Sequence, residues 1–160
     1  RMARALKPIC ARYGVPLILN DAVELAKEVD ADGVHVGQDD MSVARARAIL
    51  GPDKIIGASA HNVAEAVAAY QAGADYLGCG AVFGSATKTD ASHLPEGELA
   101  RVCAATPLPV VGIGGITEEN LPRLAGSGVA GVALVSALFA PADKPAAVAR
   151  LLAALEKTLG

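Results

Sequence analysis

Apolar residues recur along this chain in two alternating rhythms. Short apolar runs, most of them dense in Val, Ile and Leu, fall at Val15–Leu19, Gly33–Val36, Lys54–Ala58, Asp75–Gly80, Pro109–Ile113 and Gly131–Ser136. Behind each run, apolar positions return at the three- and four-residue spacing of a helix face, in segments rich in Ala and Leu. The pattern predicts six strands, each followed by a helix. Start signals agree with it: Ser42, Asn62 and Thr117 stand where N-caps belong, and Asn62-Val-Ala-Glu65 has the spacing of a capping box. Gly73 and the Gly126–Gly128 pair close helical segments and lead straight into the next strand. At Arg1–Arg4 an amphipathic pattern is already running, so the chain is expected to begin inside a helix.

Strand–helix alternation with short connections calls for a parallel sheet, because parallel neighbours need a crossover and the helix supplies it. Two architectures satisfy that pattern. One is a doubly wound open sheet; the other is a (βα)8 barrel, typically about 250 residues long, from which the N-terminal strands are missing here. With 160 residues, 52% of them hydrophobic and 19% charged, the chain supports one α/β domain over residues 1–160 with strands covered on both faces.

A net charge of -3 with scattered Lys and Arg gives no basic stripe for a nucleic acid. Cys10, Cys79 and Cys103 lack the spacing of a zinc or redox motif, which fits a reduced, cytoplasmic protein. The longest near-apolar run, Val129–Ala142, falls short of the roughly 18 residues of a membrane span and reads as a buried strand with its loop. No secretory leader pattern is evident. Neither a nucleic acid nor a membrane is therefore expected as a partner, any site for phosphorylated small molecules must be local, and a homo-oligomer is left open.

In parallel βα folds chemistry gathers where strands end and the following loops begin. The first strand runs into Asn20-Asp21 and the second into Gly37-Gln38-Asp39-Asp40, which puts carboxylates at the same end of adjacent strands. Such a pair suits Mg2+, a hard cation that takes one or two carboxylates and completes its shell with water and substrate phosphate. Helix capping by the same two aspartates is the competing explanation. The third strand ends in Ser59-Ala-His61, where a hydroxyl or an imidazole could face the mouth or simply cap the next helix. His35, inside a strand, reads as buried and hydrogen-bonded, and His93 as a loop residue.

The fourth unit carries an unusually long polar connection from Gly84 to Glu96, in which Ser85, Thr87 and Lys88 supply hydroxyls and a point charge suited to phosphate. Gly112-Ile-Gly114-Gly115-Ile-Thr117 and Val135-Ser136-Ala137-Leu138 follow the last two strands. Both can offer backbone N–H groups to an anion, helped by the dipole of a following helix; two tight turns would look the same. Barrels commonly hold phosphate in the loops after strands 7 and 8, which by counting backwards leaves two strands missing here. The glycines do not fit the dinucleotide fingerprint, so a nicotinamide cofactor is not expected.

Taken in order, LILNDAVELA, ADGVHVGQDD, GASAH, GADYLGCGAVFGSATKTDA, PVVGIGGIT and GVALVSALF resemble the thiamine phosphate synthase family over nearly all of the chain. The resemblance implies a (βα)8 barrel that joins hydroxymethylpyrimidine diphosphate to a thiazole phosphate, with Mg2+, giving thiamine phosphate and pyrophosphate. It implies that Asn20, Ser59 and Lys88 meet the pyrimidine diphosphate, the last two as catalytic groups, and that Asp21 and Asp40 hold Mg2+. It implies a thiazole phosphate site made by Ser85, Ala86, Thr87, Gly115, Val135 and Ser136. His61 lies in a matching motif without an assigned role. Two other readings compete, a related thiazole tautomerase and a non-catalytic phosphate-binding barrel fragment. Asn20, Asp21, Asp40 and the Thr87-Lys88 step favour the synthase over the tautomerase.

Overall fold

The computed structural model describes residues 1–84 and 93–160. Helix α1 (Met2–Arg12) leads into β1 (Ile18–Asn20), α2 (Val23–Val29), β2 (Gly33–Val36), α3 (Val43–Leu50), β3 (Ile55–Ala60) and α4 (Val63–Gln71). There follow β4 (Tyr76–Gly80), α5 (Glu98–Ala104), β5 (Val110–Ile113), a 3-10 turn (Leu121–Leu124), β6 (Gly131–Ala133), α6 (Ser136–Phe139) and α7 (Lys144–Leu159). All five strand pairings are parallel and the order is β1-β2-β3-β4-β5-β6. A doubly wound sheet reverses its order at a switch point. This sheet never reverses, so it is the wall of a half-barrel.

Alternation along the strands separates two faces. Val34, Val36, Ile56, Ala58, Ala60, Leu77, Cys79 and Val110 are buried, in one core with Val23, Ala26, Ala46, Ala66, Val102, Leu121 and Leu124 from the surrounding segments. The intervening positions, among them Asn20, His35, Gly57, Ser59, Tyr76 and Gly78, line the other, concave face. Register places Asn20 beside His35, His35 beside Gly57, Gly57 beside Tyr76 and Ser59 beside Gly78.

The amino ends of the strands are fastened by a repeated device. In Ala31-Asp32-Gly33 the carboxylate of Asp32 accepts from Leu17 N at 2.7 Å, and in Ala74-Asp75-Tyr76 that of Asp75 accepts from Ile56 N at 2.7 Å. Each aspartate thus ties its own strand to the start of the preceding one. Arg47 of α3 strengthens the second tie, donating to Asp75 at 2.6 Å and to the carbonyls of Gly51, Pro52, Lys54 and Gly73.

Side-chain caps start three of the helices, α3, α4 and α7. Ser42 accepts from Arg45 N, and Asn62 accepts from Glu65 N at 3.0 Å. The capping box forms with one difference: Glu65 reaches back to His61 N, at 2.8 Å, rather than to Asn62 N. Thr117 caps no α-helix, because the segment behind it makes only the 3-10 turn; instead Asn120 accepts from Thr117 N and donates to Gly115 O, each at 2.8 Å. Val129–Ala142 likewise differs from a strand plus loop, since α6 forms directly after β6. Among the described residues no helix is long and apolar enough to cross a membrane.

Both sheet edges are one-sided among the described residues, β1 pairing only with β2 and β6 only with β5. Apolar surface is exposed as well: Met2, Leu6 and Ile9 stand out on α1 with Tyr13 at its end, and Val148 and Leu152 on α7.

Candidate active site at the carboxyl ends of the strands

Asn20 closes β1 and Asp21 follows it with φ +61°, a left-handed conformation that aspartate tolerates better than most side chains. The turn is held by Asp21 N donating to His35 O at 2.8 Å and by Asn20 Nδ2 donating to Asp21 Oδ2 at 2.6 Å. Asp40 sits in the turn after β2, where its Oδ2 accepts from Gly37 N at 2.9 Å. Neither aspartate is a helix cap. The N-cap of α2 is Ala22, which makes no side-chain capping bond, and that of α3 is Ser42. Both carboxylates are exposed at the ends of neighbouring strands.

Ser59, the penultimate residue of β3, brings a hydroxyl to the same end. Its carbonyl accepts from Gln38 Nε2 at 2.5 Å, so the turn carrying Asp40 also braces Ser59. Beneath it lies a polar chain: His35 Nε2 is 3.0 Å from Ser59 Oγ, and His35 Nδ1 is 3.0 Å from the Tyr76 hydroxyl. Gly57 and Gly78 leave the space that these rings occupy, for a Cβ at Gly57 would overlap the Tyr76 ring and one at Gly78 would come within 3.0 Å of His35. His61 turns away from the chain, with its ring Nδ1 2.8 Å from Glu65. Burial pushes the Glu65 carboxyl upward, but hydrogen bonds from His61 and Asn62 outweigh it and leave the group below its usual range.

Gly115 follows β5 with φ +64°, and a Cβ there would stand 2.6 Å from Gly84 O and 2.7 Å from Phe83 O. Only glycine fits this close approach of two loops. Val135 and Ser136, both exposed, begin α6 after β6. The segments behind the two loops are shorter than the pattern predicts, a 3-10 turn and a four-residue helix, so little helix dipole is available and any anion contact must come from the N–H groups themselves. Ser85, Ala86, Thr87 and Lys88 lie outside the described residues.

The structure therefore places Asn20, Asp21, Asp40 and Ser59 at the carboxyl ends of three consecutive strands, with Gly115 and Val135–Ser136 after the last two strands at the same end. The sequence assigned no role to Tyr76 or Gln38 and read His35 as buried and hydrogen-bonded; it is half-buried and bonded to Tyr76 and Ser59. Strand parity was the available signal: Asn20, His35 and Ser59 each occupy a concave-face position near the end of a strand. Among the described residues no group of three or more His, Cys, Asp or Glu side chains could enclose a metal ion.

The sequence profile described as thiamine monophosphate synthase matches residues 1–138. The chain belongs to the thiamine phosphate synthase family. A thiamine-phosphate synthase of Methanobrevibacter smithii is 47% identical over 138 residues, 86% of this chain and 66% of that protein. One from Geobacillus kaustophilus is 49% identical over 151 residues, 92% of this chain and 68% of that protein. The chain thus spans about two thirds of the length of such relatives. Among solved structures, a thiamine phosphate pyrophosphorylase from Pyrococcus furiosus superposes with a TM-score of 0.91 at 36% identity, covering 99% of this chain and 76% of the other. A 3-hexulose-6-phosphate synthase shares the fold alone, with a TM-score of 0.71 at 16% identity, covering 96% of this chain and 80% of the other.

Proposed function

We propose that this family member, in the cytoplasm, condenses hydroxymethylpyrimidine diphosphate with a thiazole phosphate to give thiamine phosphate and pyrophosphate. The observation that carries the reading is the convergence of Asn20, Asp21, Asp40 and Ser59 at one end of β1, β2 and β3, with both carboxylates outside any helix-capping role. The donor set fits Mg2+: oxygen only, with two exposed carboxylates after adjacent strands, a set that phosphate and water would complete. Asp21 and Asp40 would hold the ion. When bound, it would offset the charge of the diphosphate and of the departing pyrophosphate.

Asn20 and Ser59 orient the diphosphate, and Lys88 adds positive charge to it. Gly115 and the Val135–Ser136 step present backbone N–H groups to the thiazole phosphate, with Ser85, Ala86 and Thr87 completing that side. The two substrates are then held in line, which is the larger part of the catalysis. The bond between the pyrimidine methylene and the diphosphate oxygen breaks, pyrophosphate keeps the electron pair, and the thiazole nitrogen attacks the resulting cation. No general base is needed, consistent with a mouth rich in binding groups.

The reading extends to a closed (βα)8 barrel of one domain, in which two further βα units join β1 to β6. Supporting it are the one-sided edges of β1 and β6 and the exposed apolar residues on α1 and α7, which such units would cover. The experiment is the condensation itself, run with both substrates and Mg2+ in the full-length protein. Thiamine phosphate and pyrophosphate are expected in equal amounts; failure to form either ends the proposal.

A further inference from the structure

The polar chain beneath Ser59 has a direction that hydrogen-bond chemistry can assign. A neutral imidazole has one donor and one acceptor nitrogen, and here both face hydroxyls, Tyr76 at Nδ1 and Ser59 at Nε2. In one arrangement Tyr76 donates to Nδ1, Nε2–H donates to Ser59 Oγ, and the Ser59 proton is turned away from His35. In the other Ser59 donates to Nε2, Nδ1–H donates to Tyr76, and Ser59 can offer an anion nothing but lone pairs. Burial raises the Tyr76 phenol above its ordinary range, which keeps it protonated and able to donate. An anionic substrate at the mouth selects the first arrangement.

We infer that His35, held by Tyr76, is a positioning residue that aims the Ser59 hydroxyl as a donor toward a diphosphate oxygen. The inference rests on the proposed contact between Ser59 and the pyrimidine diphosphate. Several features make the aim rigid. Gln38 fixes the Ser59 carbonyl, and Gly57 and Gly78 admit the two rings with no room to spare. Tyr76 contributes a single hydroxyl at the far end of the chain, so its removal perturbs Ser59 only through His35. Neither Tyr76 nor His35 needs to touch substrate for this role.

The test is a double-mutant cycle in the full-length protein, because residues acting in series lose additivity. Tyr76→Phe should lower kcat on the order of tenfold, the worth of one misdirected hydrogen bond to a charged group, while KM for the thiazole phosphate stays unchanged; the thermal midpoint falls only by the cost of the hydrogen bond lost at His35 Nδ1. In a Ser59→Ala background Tyr76→Phe should cost nothing further. His35→Gln, whose Nε2 can replace the imidazole donor, should retain more turnover than His35→Ala. Full activity of Tyr76→Phe, or an equal loss in both backgrounds, overturns the positioning role. Full activity of Ser59→Ala instead removes the diphosphate contact on which the inference stands, so the two failures read differently.

Discussion

Asp75 lies at the amino end of β4, opposite the mouth, and its replacement separates stability from function. Its carboxylate accepts from Ile56 N at 2.7 Å and from Arg47 at 2.6 Å. Asp75→Ala leaves the part-buried Ile56 N–H without that partner, which costs about 1–3 kcal/mol. The ion pair adds at most about 1 kcal/mol, because the Asp75 side chain is 47% exposed and solvent screens it. Arg47 is not stranded, since four backbone carbonyls still accept from it. The sum is about 1–4 kcal/mol. Asp75→Asn keeps an oxygen for Ile56 N–H and forfeits only the ion pair, about 1 kcal/mol or less.

Urea unfolding of the full-length protein measures both changes as shifts in midpoint at constant slope. Turnover per folded molecule should not change, because Asp75 stands roughly 15 Å from the mouth along β4, at about 3.3 Å per strand residue. If Asp75→Asn is as damaging as Asp75→Ala, the charge rather than the strand tie carries the stability. If Asp75→Ala costs under about 0.5 kcal/mol, the tie is dispensable.

Two further outcomes follow from the packing. Gly57→Ala drives a methyl into Tyr76 and His35, so it should cost about 1–3 kcal/mol as an overpacked site and reduce kcat as well; unchanged melting and turnover together would contradict the arrangement of those rings. Burial, with smaller contributions from Cys103, Glu98 and Glu65, pushes the Cys79 thiol from 9.0 up to about 12. Above pH 9.0 the unfolded chain therefore releases this proton first, and the stability contributed by the protonated thiol is lost between about pH 9 and about pH 12. A Cys79→Ala variant should show a shallower alkaline loss of stability in denaturant titrations, and Cys79 should be alkylated only on unfolding.

The fold was legible because its signals are local. Six short apolar runs, the Ser42 and Asn62 caps and the helix closed at Gly73 each depend on a few neighbouring residues, and each has a counterpart in the structure, whereas the segment closed at Gly126 makes only a 3-10 turn. Strand order was not local: the same alternation allows a doubly wound sheet, and only the pairings decide. At the site, Asp21 and Asp40 could be found from their places after strands, but the sequence could not separate them from caps. Ala22 and Ser42 made that separation. The roles of His35, Tyr76 and Gln38 depend on which face each strand presents and on cross-strand register, and Thr117 failed as a cap because Asn120, three residues on, closes that loop instead.

The most direct test of the proposed function is Mg2+-dependent formation of thiamine phosphate by the full-length protein and its Asp21→Ala and Asp40→Ala variants, followed across a Mg2+ titration. Loss of one carboxylate ligand should raise the half-saturating Mg2+ concentration by tenfold or more, on the order of 1–3 kcal/mol for a charged contact, with the fold intact by circular dichroism. Product formation by both variants at unchanged Mg2+ dependence would contradict the account.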